Sequence, residues 1–486
     1  MTFISFTFLF FMALVFIVYY LPVFKENSKF QNIWLLIASY FFYGYTNWRI
    51  IPLLLCATVV FYLFGLWIKR KLDEGNEKSA SRISALGVVI GVGVLLYFKY
   101  FNFFIQSFAD LFTAIGLQVN IHTFKIIMPL GVSYFTFKLI SYIIEVNRAR
   151  VDACKDIVVF ANYVSFFPTI VSGPIDRPDK FIPQLNTKRA LTYEMGVNGV
   201  LLILCGLFKK MVIADNLAPY LADTWNNYSS LSGSVLLISS LLYVLQLYAD
   251  FSGYSEMAIG VGKLLGFNVA KNFNYPFFAT NIAEYWRRWH MSLTSWVTDY
   301  VFTPLNIKFR DLDKWGLFLA ILINMVIIGL WHGANWTFAL FGVYQALLYI
   351  PLIIRGKMNK KMKLKIGKSG LPSFVDFGKM VGMFFVVAFG LIIFRANDVK
   401  MAFDVIGTIF SAELFVMPTM PNVAKFVYFA IVLVFVLEWI QRDKEHIFSF
   451  IEEKKPWVVS LFIITVFVLS FFLRGGVSNE FIYMQF

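Results

Sequence analysis

Residues Leu317–Leu330 have the sequence LFLAILINMVIIGL, an apolar run that leads directly into WHGANWTF at Trp331–Phe338. A helix that crosses the hydrocarbon core of a bilayer needs ~20 predominantly apolar residues. Comparable runs recur along the chain, at Ile50–Ile68, Ile83–Phe98, Phe124–Val146, Ser234–Ala249, Phe374–Phe394, Phe426–Ile440 and Val458–Leu473. The pattern therefore predicts a protein whose helices lie mostly in lipid.

The composition supports a membrane protein and excludes other classes. Of the 486 residues, 59% are hydrophobic and 15% are charged, against ~45–50% and ~25% in soluble domains. These values exclude a soluble enzyme, a secreted scaffold and a disordered protein. The formal net charge is +14, but the basic residues stand in short gaps between apolar runs, where such residues orient helices and contact lipid headgroups. Membrane lipids, and not nucleic acid, are the predicted partners of this charge.

The apolar runs predict an all-α fold, a polytopic transmembrane helical bundle. Shorter and interrupted runs bring the total to roughly eleven to fourteen spanning or re-entrant helices. The first run, Thr2–Phe24, lacks a basic leading segment and a small-residue cleavage site, so we expect a membrane helix and not a signal peptide. Neither a fixed-period repeat nor a low-complexity linker divides the chain, which predicts a single domain over residues 1–486.

Two basic clusters orient the predicted bundle. Residues 69–82 contain five lysines and arginines, and residues 355–368 contain seven and no acidic residue. Because short cytoplasmic loops are enriched in lysine and arginine, both clusters are predicted to be cytoplasmic. Three predicted spans precede residue 69, which places the N-terminus outside.

Polar and ionisable residues interrupt the apolar sequence in three segments of the middle third: Leu245–Ile259, Glu284–Tyr300 and Gly329–Phe338. Ionisable groups inside a membrane are expensive, so they indicate function by default. Two of the four histidines, His290 and His332, lie here among tryptophans. The other two, His122 and His446, lie in gaps between runs and are predicted to be solvated surface residues.

The two embedded histidines favour general-base chemistry. Histidine has an unperturbed pKa of ~6.5, which suits proton transfer near neutral pH. A metal site is the rival interpretation, with Asp250 or Glu256 as further ligands, but neither histidine stands in a recognised metal-binding spacing. The sequence therefore predicts no metal. Since it also has no GxSxG motif, the predicted nucleophile is the hydroxyl of the substrate.

Further polar and aromatic residues in the same segments are candidates for the wall of a substrate site. Arg287 and Arg288 would be costly if they faced lipid, so they are expected to face carbonyls, carboxylates or an anionic ligand. Asp250 and Glu256 are expected to pair with these arginines or to line a water-filled cavity. The candidate substrate-binding residues are Asp250, Ser252, Trp286, Arg287, Arg288 and Asn335.

Five segments together resemble the membrane-bound O-acyltransferase family, in its bacterial alginate O-acetyltransferase-like branch. They occupy most of residues 125–345, the signature-bearing core, in the order characteristic of the family. The matching segments are MPLGVSYFTFKLISY (Met128–Tyr142), FFPTIVSGPIDRPDKF (Phe166–Phe181), LQLYADFSGYSEMAIG (Leu245–Gly260), NFNYPFFATNIAEYWRRWHMSLTSWVTDYVFTPL (Asn272–Leu305) and GLWHGANWTF (Gly329–Phe338).

The resemblance implies acyl transfer across a bacterial cytoplasmic membrane, through a central tunnel in the bundle. It implies an acyl thioester donor, either acetyl-CoA or a carrier-linked acyl group, with no bound cofactor. The implied acceptor is a hydroxyl of an extracytoplasmic polysaccharide or cell-wall glycan, and a periplasmic or extracytoplasmic acetyltransferase-type protein is the implied partner. His332 matches the essential histidine of the family, and His290 matches its second signature position.

Two alternatives remain open at the level of the sequence. The segments SGPIDR and WHMSL resemble the members that transfer D-alanine to teichoic acid, whereas the chain length and GLWHGANWTFALFG resemble the O-acetyltransferases. A membrane transporter would also contain midplane charges and broken helices. An inverted repeat would favour a transporter, and the sequence has none.

The predicted orientation can be tested with two engineered cysteines, at Ser79 and Lys363, in a chain whose native cysteines are replaced by serine. Both positions should be shielded from a membrane-impermeant thiol reagent in intact cells, because both loops are predicted to be cytoplasmic. Permeabilised cells should label both. Labelling of both positions in intact cells would contradict the orientation.

Overall fold

The computed structural model describes residues 1–22, 27–117, 126, 128–358, 360, 364–419, 421–476 and 481–482. Over these residues the chain is helical and contains no β-strand, apart from one isolated bridge between Ile366 and Pro372. The all-α prediction is therefore confirmed. His122 and Lys363, for which the sequence carried predictions, lie outside the described residues.

The α-helices, numbered in chain order, are α1 Phe6–Tyr19, α2 Ser28–Gly44, α3 Ile51–Asp73, α4 Glu77–Leu95, α5 Phe101–Ala114, α6 Val132–Asn147, α7 Ile157–Ser165, α8 Pro178–Leu185, α9 Tyr193–Phe208, α10 Asp215–Asn226, α11 Gly233–Leu264, α12 Ile282–Trp286, α13 Met291–Val297, α14 Thr303–Lys308, α15 Asp313–His332, α16 Trp336–Leu347, α17 Ile350–Ile354, α18 Phe374–Arg395, α19 Val399–Ile409, α20 Lys425–Ile440 and α21 Pro456–Phe472.

Among the described residues, seven helical stretches are long and apolar enough to cross a membrane. Two shorter apolar helices, α1 and α21, lie near the chain ends. The predicted total of eleven to fourteen spanning or re-entrant helices remains a prediction. The seven stretches are Trp48–Asp73, Glu77–Ala114, Tyr193–Asn226, Gly233–Leu264, Arg310–His332, Trp336–Ile354 and Phe374–Arg395.

The chain divides into two compact units. The first unit consists of Met1–Val200 and Ala258–Ala270, and the second consists of Leu201–Met257 and Lys271–Phe486. The predicted single domain over residues 1–486 remains a prediction. Both candidate catalytic histidines, His290 and His332, belong to the second unit.

The first unit is built on close helix crossings and a buried cation. A Cβ atom added at Gly87 of α4 would lie 2.6 Å from the side chain of Ile143 on α6, and small residues of this kind let membrane helices approach closely. Lys138 of α6 is fully buried, and its Nζ donates to the Thr169 hydroxyl at 2.9 Å. Lys138 belongs to the segment Met128–Tyr142 and Thr169 to the segment Phe166–Phe181. The hydrogen bond between them therefore joins these two segments inside the first unit.

In the second unit, glycines bring α15 and α16 into backbone contact. A Cβ atom added at Gly329 of α15 would overlap the carbonyl oxygen of Phe338, and one at Gly342 of α16 would lie 2.5 Å from that of Met325. Asn335 caps α16, because its Oδ1 accepts from the Thr337 backbone N–H at 3.0 Å. The tight hairpin fixes His332, the last residue of α15, beside the start of α16.

A second close crossing joins α9, which leads into a turn with two buried lysines, to α11, which carries the buried Asp250. A Cβ atom at Gly206 of α9 would overlap the carbonyl oxygen of Gly253 on α11, and one at Gly253 would lie 2.8 Å from the carbonyl oxygen of Gly206. The chain then continues from α9 into a π-helical turn at Lys209–Ala214. Such turns are frequent at functional sites. The crossing places the two lysines of the turn beside α11.

The α15–α16 hairpin can be tested by Gly329→Ala, with Gly378→Ala on α18 as the control. The added methyl at position 329 must displace backbone, which costs about 1–3 kcal/mol, whereas Gly378 faces open space and alanine there favours the helix. Thermal unfolding in detergent should show a lower midpoint for Gly329→Ala alone. Equal midpoints for the two variants would contradict the close packing.

Candidate active site

His332 ends α15 inside an aromatic shell. Its side chain is buried, with 4% of the residue exposed. The centroid of its ring lies 5.0 Å from those of Trp331 and Phe394 and 6.5 Å from that of Phe338. A Cβ atom at Gly333 would overlap the ring of Phe338, so the glycine allows the aromatic ring to pack here.

His290 lies in the turn between α12 and α13 and has a left-handed backbone, with φ of 45°. This conformation costs a non-glycine residue on the order of 1–3 kcal/mol and often marks a functional site. The neighbouring backbone holds the turn in place, because the N–H of Met291 donates to the carbonyl of Asn272 at 2.8 Å. The side chain of Asn272 in turn accepts from the Ser292 hydroxyl at 2.5 Å.

Trp331 brings the two histidines to one place. The ring of His290 lies 5.5 Å from that of Trp331 and 4.7 Å from that of Phe251. His332 also contacts Trp331. Both imidazole rings therefore pack edge-on against the same indole, although 42 positions separate the two histidines in the sequence. The structure thus assembles the two predicted catalytic residues into one buried site.

A polar cavity of about 410 Å³ lies next to this site, within the range of volumes usual for ligand pockets. Phe338 and Phe394 line the cavity, and their rings also contact His332. The cavity therefore ends one layer of aromatic rings from the imidazole. Polar groups that line it include Lys210, Asp215, Tyr243, Gln246, Asp250, Asn335, Arg395 and Asn397.

Lys209 is held by carboxylates from two helices. Its Nζ lies 2.7 Å from Glu256 of α11 and 3.0 Å from Glu438 of α20, and Lys209 and Glu438 are each only 1% exposed. Tyr248 donates a further hydrogen bond to Glu438 at 2.6 Å. Buried charges persist only where they are paired in this way.

Lys210, the next residue, forms a second buried pair beside the cavity. Its Nζ lies 2.7 Å from Asp250 and 2.9 Å from Asp215. The other oxygen of Asp250 accepts from the backbone N–H of Ile482 at 2.6 Å, and the ring of Phe481 lies 4.4 Å from the ammonium group. Residues near the C-terminus therefore complete the environment of Asp250.

Lys209, Lys210 and Glu438 were not among the residues predicted from the sequence. The feature of the sequence that indicated the two histidines, an ionisable residue within an apolar run, also marks these three residues. The segment CGLFKKMVIAD contains both lysines, and FVLEWI contains the glutamate.

Three of the predicted substrate-binding residues lie in or near this region. Asp250 and Asn335 line the cavity, and the side-chain N–H of Asn335 donates to the carbonyl of Asn397 at 2.7 Å. Ser252 is completely buried, and within the described part of the chain its hydroxyl makes no hydrogen bond. These positions agree with a polar site, and the assignment of roles to them remains a prediction.

The other three predicted substrate-binding residues form contacts within α12 and with neighbouring segments: Trp286, Arg287 and Arg288. The indole N–H of Trp286 donates to Gln345 at 3.2 Å. Arg287 and Arg288 pair with Glu284 at 3.3 and 2.9 Å. Of the two alternatives for Asp250 and Glu256, pairing with these arginines is wrong, because the carboxylates pair with Lys210 and Lys209. The other alternative, a place on the wall of a cavity, agrees with the position of Asp250.

Both arginines also donate to backbone carbonyl groups. Arg287 donates to Met358 at 2.7 Å, and Arg288 donates to Asn274 at 3.1 Å. Carbonyls and a carboxylate were among the partners that the sequence predicted for them. Their predicted contact with substrate remains a prediction.

The predicted solvated position of His446 is wrong. The residue is 1% exposed, and its Nε2 lies 2.7 Å from Glu452. Its Nδ1 accepts from the Phe448 backbone N–H at 3.2 Å and lies 3.8 Å from the sulfur of Cys205. The charged neighbours of His446 in the sequence predicted exposure. The side chain is instead buried and contacts Glu452, Phe448 and Cys205.

The described residues contain no group of three or more histidine, cysteine, aspartate or glutamate side chains placed to hold a metal ion. The carboxylates near the site, Asp250 and Glu256, pair with lysines. The prediction that activity requires no metal remains a prediction, and chelation of the purified protein tests it.

Two histidines buried beside a polar cavity in a helical membrane protein form an arrangement that suits an intramembrane enzyme. The model of the membrane-bound O-acyltransferase family matches residues 40–394. The chain therefore belongs to the membrane-bound O-acyltransferase family and is an O-acyltransferase. Family membership also favours the enzyme over the transporter alternative.

Three relatives illustrate the similarity. The probable alginate O-acetylase AlgI of Pseudomonas aeruginosa is 35% identical over 404 residues, which cover 82% of this chain and 74% of the relative. The peptidoglycan O-acetyltransferase of Helicobacter pylori is 32% identical over 355 residues, 67% of this chain and 65% of the relative. The teichoic acid D-alanyltransferase of Bacillus subtilis is 32% identical over 291 residues, 56% of this chain and 70% of the relative.

If His332 is the general base, as predicted, His332→Gln should reduce acyl transfer on the order of 10²–10⁴-fold or more, because the substitution removes the proton acceptor. Expression and membrane insertion should be unchanged. The matched control is His446→Gln, a second buried histidine of the same unit, which should keep its transfer rate per folded molecule. Near-native transfer by purified His332→Gln protein would exclude His332 as the base.

His290→Ala should lower the maximal rate or weaken apparent donor binding, up to about 10²-fold, because it alters the positioning of the reacting groups. His290→Asn is the companion variant, since asparagine adopts the left-handed backbone more readily than most residues. If both variants keep the wild-type maximal rate and donor affinity, His290 is a packing residue only.

Proposed function

We propose that this O-acyltransferase moves an acetyl group from a cytoplasmic acyl thioester to a hydroxyl of an extracytoplasmic polysaccharide or cell-wall glycan. The observation that carries the proposal is the pair of histidines on Trp331, one aromatic layer from a polar cavity. The names of the relatives, alginate O-acetylase and peptidoglycan O-acetyltransferase, support an acetyl group and a glycan acceptor.

The position of the cavity supports an acceptor that arrives from outside. The stretch Trp336–Ile354 starts beside the cavity and ends at the basic residues 355–368, and α18 returns from that end to Arg395 at the cavity. The cavity and the described basic residues Arg355 and Lys357 therefore lie at opposite ends of these helices. If the basic residues are cytoplasmic, as the positive-inside rule predicts, the cavity faces the extracytoplasmic side.

The proposed reaction uses the imidazole of His332 as base. The neutral ring takes the proton of the acceptor hydroxyl while the hydroxyl oxygen attacks the thioester carbonyl carbon. The C–S bond then breaks, and the proton passes to the sulfur of the leaving thiol, so that an ester and a thiol are formed. Burial behind aromatic rings limits hydrolysis, and His290 orients the acceptor or stabilises the oxyanion.

The donor, partner and membrane belong to the same proposal. We expect acetyl-CoA or a carrier-linked acetyl group at the cytoplasmic face, where the basic residues attract anionic donors. An extracytoplasmic acetyltransferase-type protein is the expected partner, and the bacterial cytoplasmic membrane is the expected location.

The acyl group can be identified by mass spectrometry of the surface polymer from a deletion strain. We expect loss of O-acetyl groups with no loss of D-alanine esters. A wild-type gene should restore acetylation, and the His332→Gln allele should not. Loss of D-alanine esters instead would support the function of the teichoic acid D-alanyltransferases and contradict acetyl transfer.

A further inference from the structure

A large apolar groove lies in the second unit between α18 and α20. Its volume is about 1080 Å³, close to the upper limit of the range usual for ligand pockets. Phe377, Val381 and Phe384 of α18 line one side, and Phe435 and Trp439 of α20 line the other. Among the described residues the groove shares no lining residue with the polar cavity, so the two are separate sites.

Aromatic rings from the turn before α12 form the floor of the groove. The ring of Phe277 lies 5.2 Å from that of Phe384 and 5.7 Å from that of Phe435. The ring of Phe278 lies 5.1 Å from that of Trp439. Because residues of both helices pack on these buried rings, the groove is part of the folded unit and needs no ligand to form it.

The rim of the groove is apolar and exposed. Phe377 on α18 is 56% exposed, and Ile440 at the end of α20 is 60% exposed. The helix α18 is long and apolar enough to cross a membrane. Since exposed apolar surface on such a helix is covered by lipid, the open side of the groove faces the hydrocarbon of the bilayer.

A cation stands at one end of this groove. Within the described part of the chain Arg442 is the one charged residue that lines it. The guanidinium carbon lies 4.8 Å from the ring of Trp439, and Nη1 donates to the Trp439 carbonyl at 2.8 Å. The indole N–H of Trp439 donates to the carbonyl of Gly370 at 3.0 Å. Stacking therefore orders the guanidinium at the end where α18 begins and α20 ends.

The segments that border this end carry an excess of positive charge. Residues 364–373 contain two exposed lysines, Lys365 and Lys368, and no acidic residue. Residues 441–445 contain two basic and two acidic residues. The first segment therefore contributes two positive charges and the second contributes none.

The nearby carboxylates leave the guanidinium available to an anion. Asp443 is exposed, and its oxygen lies 3.9 Å from Nε of Arg442, which is longer than a hydrogen bond. Asp376, in the first turn of α18, pairs with Lys379 at 2.9 Å and accepts from the backbone N–H of Lys365 at 3.1 Å. An anion at the end of the groove would therefore meet more positive than negative charge.

We propose that this groove binds an anionic glycerophospholipid, with an acyl chain between α18 and α20 and the phosphate on the guanidinium of Arg442. A guanidinium can donate two parallel hydrogen bonds to a phosphate. Tryptophan at the end of a membrane helix lies at the level of the headgroups, and basic pockets between membrane helices bind anionic headgroups. The inference goes beyond the proposed function, because it holds for any acyl group or acceptor.

The floor of the groove connects this lipid site with the candidate active site. The ring of Phe277 lies 4.9 Å from that of Tyr248 and 6.4 Å from that of Trp289, which precedes His290. Tyr248 donates to Glu438 in the buried lysine network at 2.6 Å. An acyl chain in the groove would pack on the ring that supports these residues, so bound lipid should stabilise the second unit against unfolding.

The test is native mass spectrometry of the full-length protein in detergent, titrated with phosphatidylglycerol or with phosphatidylcholine that has the same acyl chains. Wild-type protein should bind the first phosphatidylglycerol about tenfold more tightly than phosphatidylcholine, the difference expected for one charge-assisted contact. Arg442→Gln should remove most of this difference, and Arg442→Lys should retain part of it.

A second variant tests the apolar part of the site. Val381 lines the groove and is 39% exposed, so Val381→Trp should fold normally, fill the groove and weaken binding of both lipids. Phosphatidylglycerol should also raise the thermal unfolding midpoint of the wild type more than that of either variant. The matched control is Arg474→Gln. Arg474 stacks on Phe471, with the guanidinium carbon 4.6 Å from the ring, and does not line the groove, so its replacement should leave the lipid preference unchanged.

Several outcomes would overturn the inference. Equal binding of the two lipids by the wild type would do so, as would unchanged lipid binding in both Arg442→Gln and Val381→Trp. Binding of free glycerol phosphate as tight as that of phosphatidylglycerol would reject a role for the acyl chain. Displacement of phosphatidylglycerol by acetyl-CoA would assign the groove to the donor, and a dimer that Val381→Trp disrupts would assign it to a second copy of the chain.

Discussion

Burying charged groups among apolar helices is expensive unless each is paired, and in the second unit this constraint falls on Lys209 and Lys210. Each lysine contacts two carboxylates, which come from the start of α10, from α11 and from α20. Removing one member of such a pair costs about 3–5 kcal/mol. The pairs therefore fix the register of α11 against the π-helical turn, and that register places Asp250 at the cavity and Phe251 against His290.

The reactive site depends on this register and on close backbone packing. Glycines let α15 and α16 touch, so that the end of α15 presents Trp331 to His290 and His332 to Phe338 and Phe394. The strained backbone of His290 persists because the surrounding loop holds it. The buried imidazole of His332 therefore lies behind two rings that line a polar cavity. This arrangement would separate the proposed base from bulk water and leave it close to an acceptor hydroxyl in the cavity.

Composition and apolar periodicity were sufficient to predict the all-α membrane fold, because lipid requires helices of that length and character. The two histidines could be found because tryptophans surround both in the sequence. Their meeting on Trp331 could not be found, since it depends on tertiary packing. Arg287 and Arg288 show a different limit: the cost of an unpaired charge in a membrane predicts that each has a partner, but does not specify which. His446 shows another, because its charged neighbours in the sequence predicted exposure, whereas its side chain is buried. Lys209 and Lys210 carried the same signal and were not selected.

The most direct measurement is an electron cryomicroscopy structure of the wild-type protein in nanodiscs, with an acceptor oligosaccharide and a non-transferable thioester analogue bound together. We expect sugar density in the cavity beside Asn335 and Arg395, with one hydroxyl about 2.6–3.2 Å from the imidazole of His332. The thioester should reach the same point from the end that carries the basic residues 355–368. Acceptor density at another surface, with His332 contacting neither ligand, would contradict the proposed site.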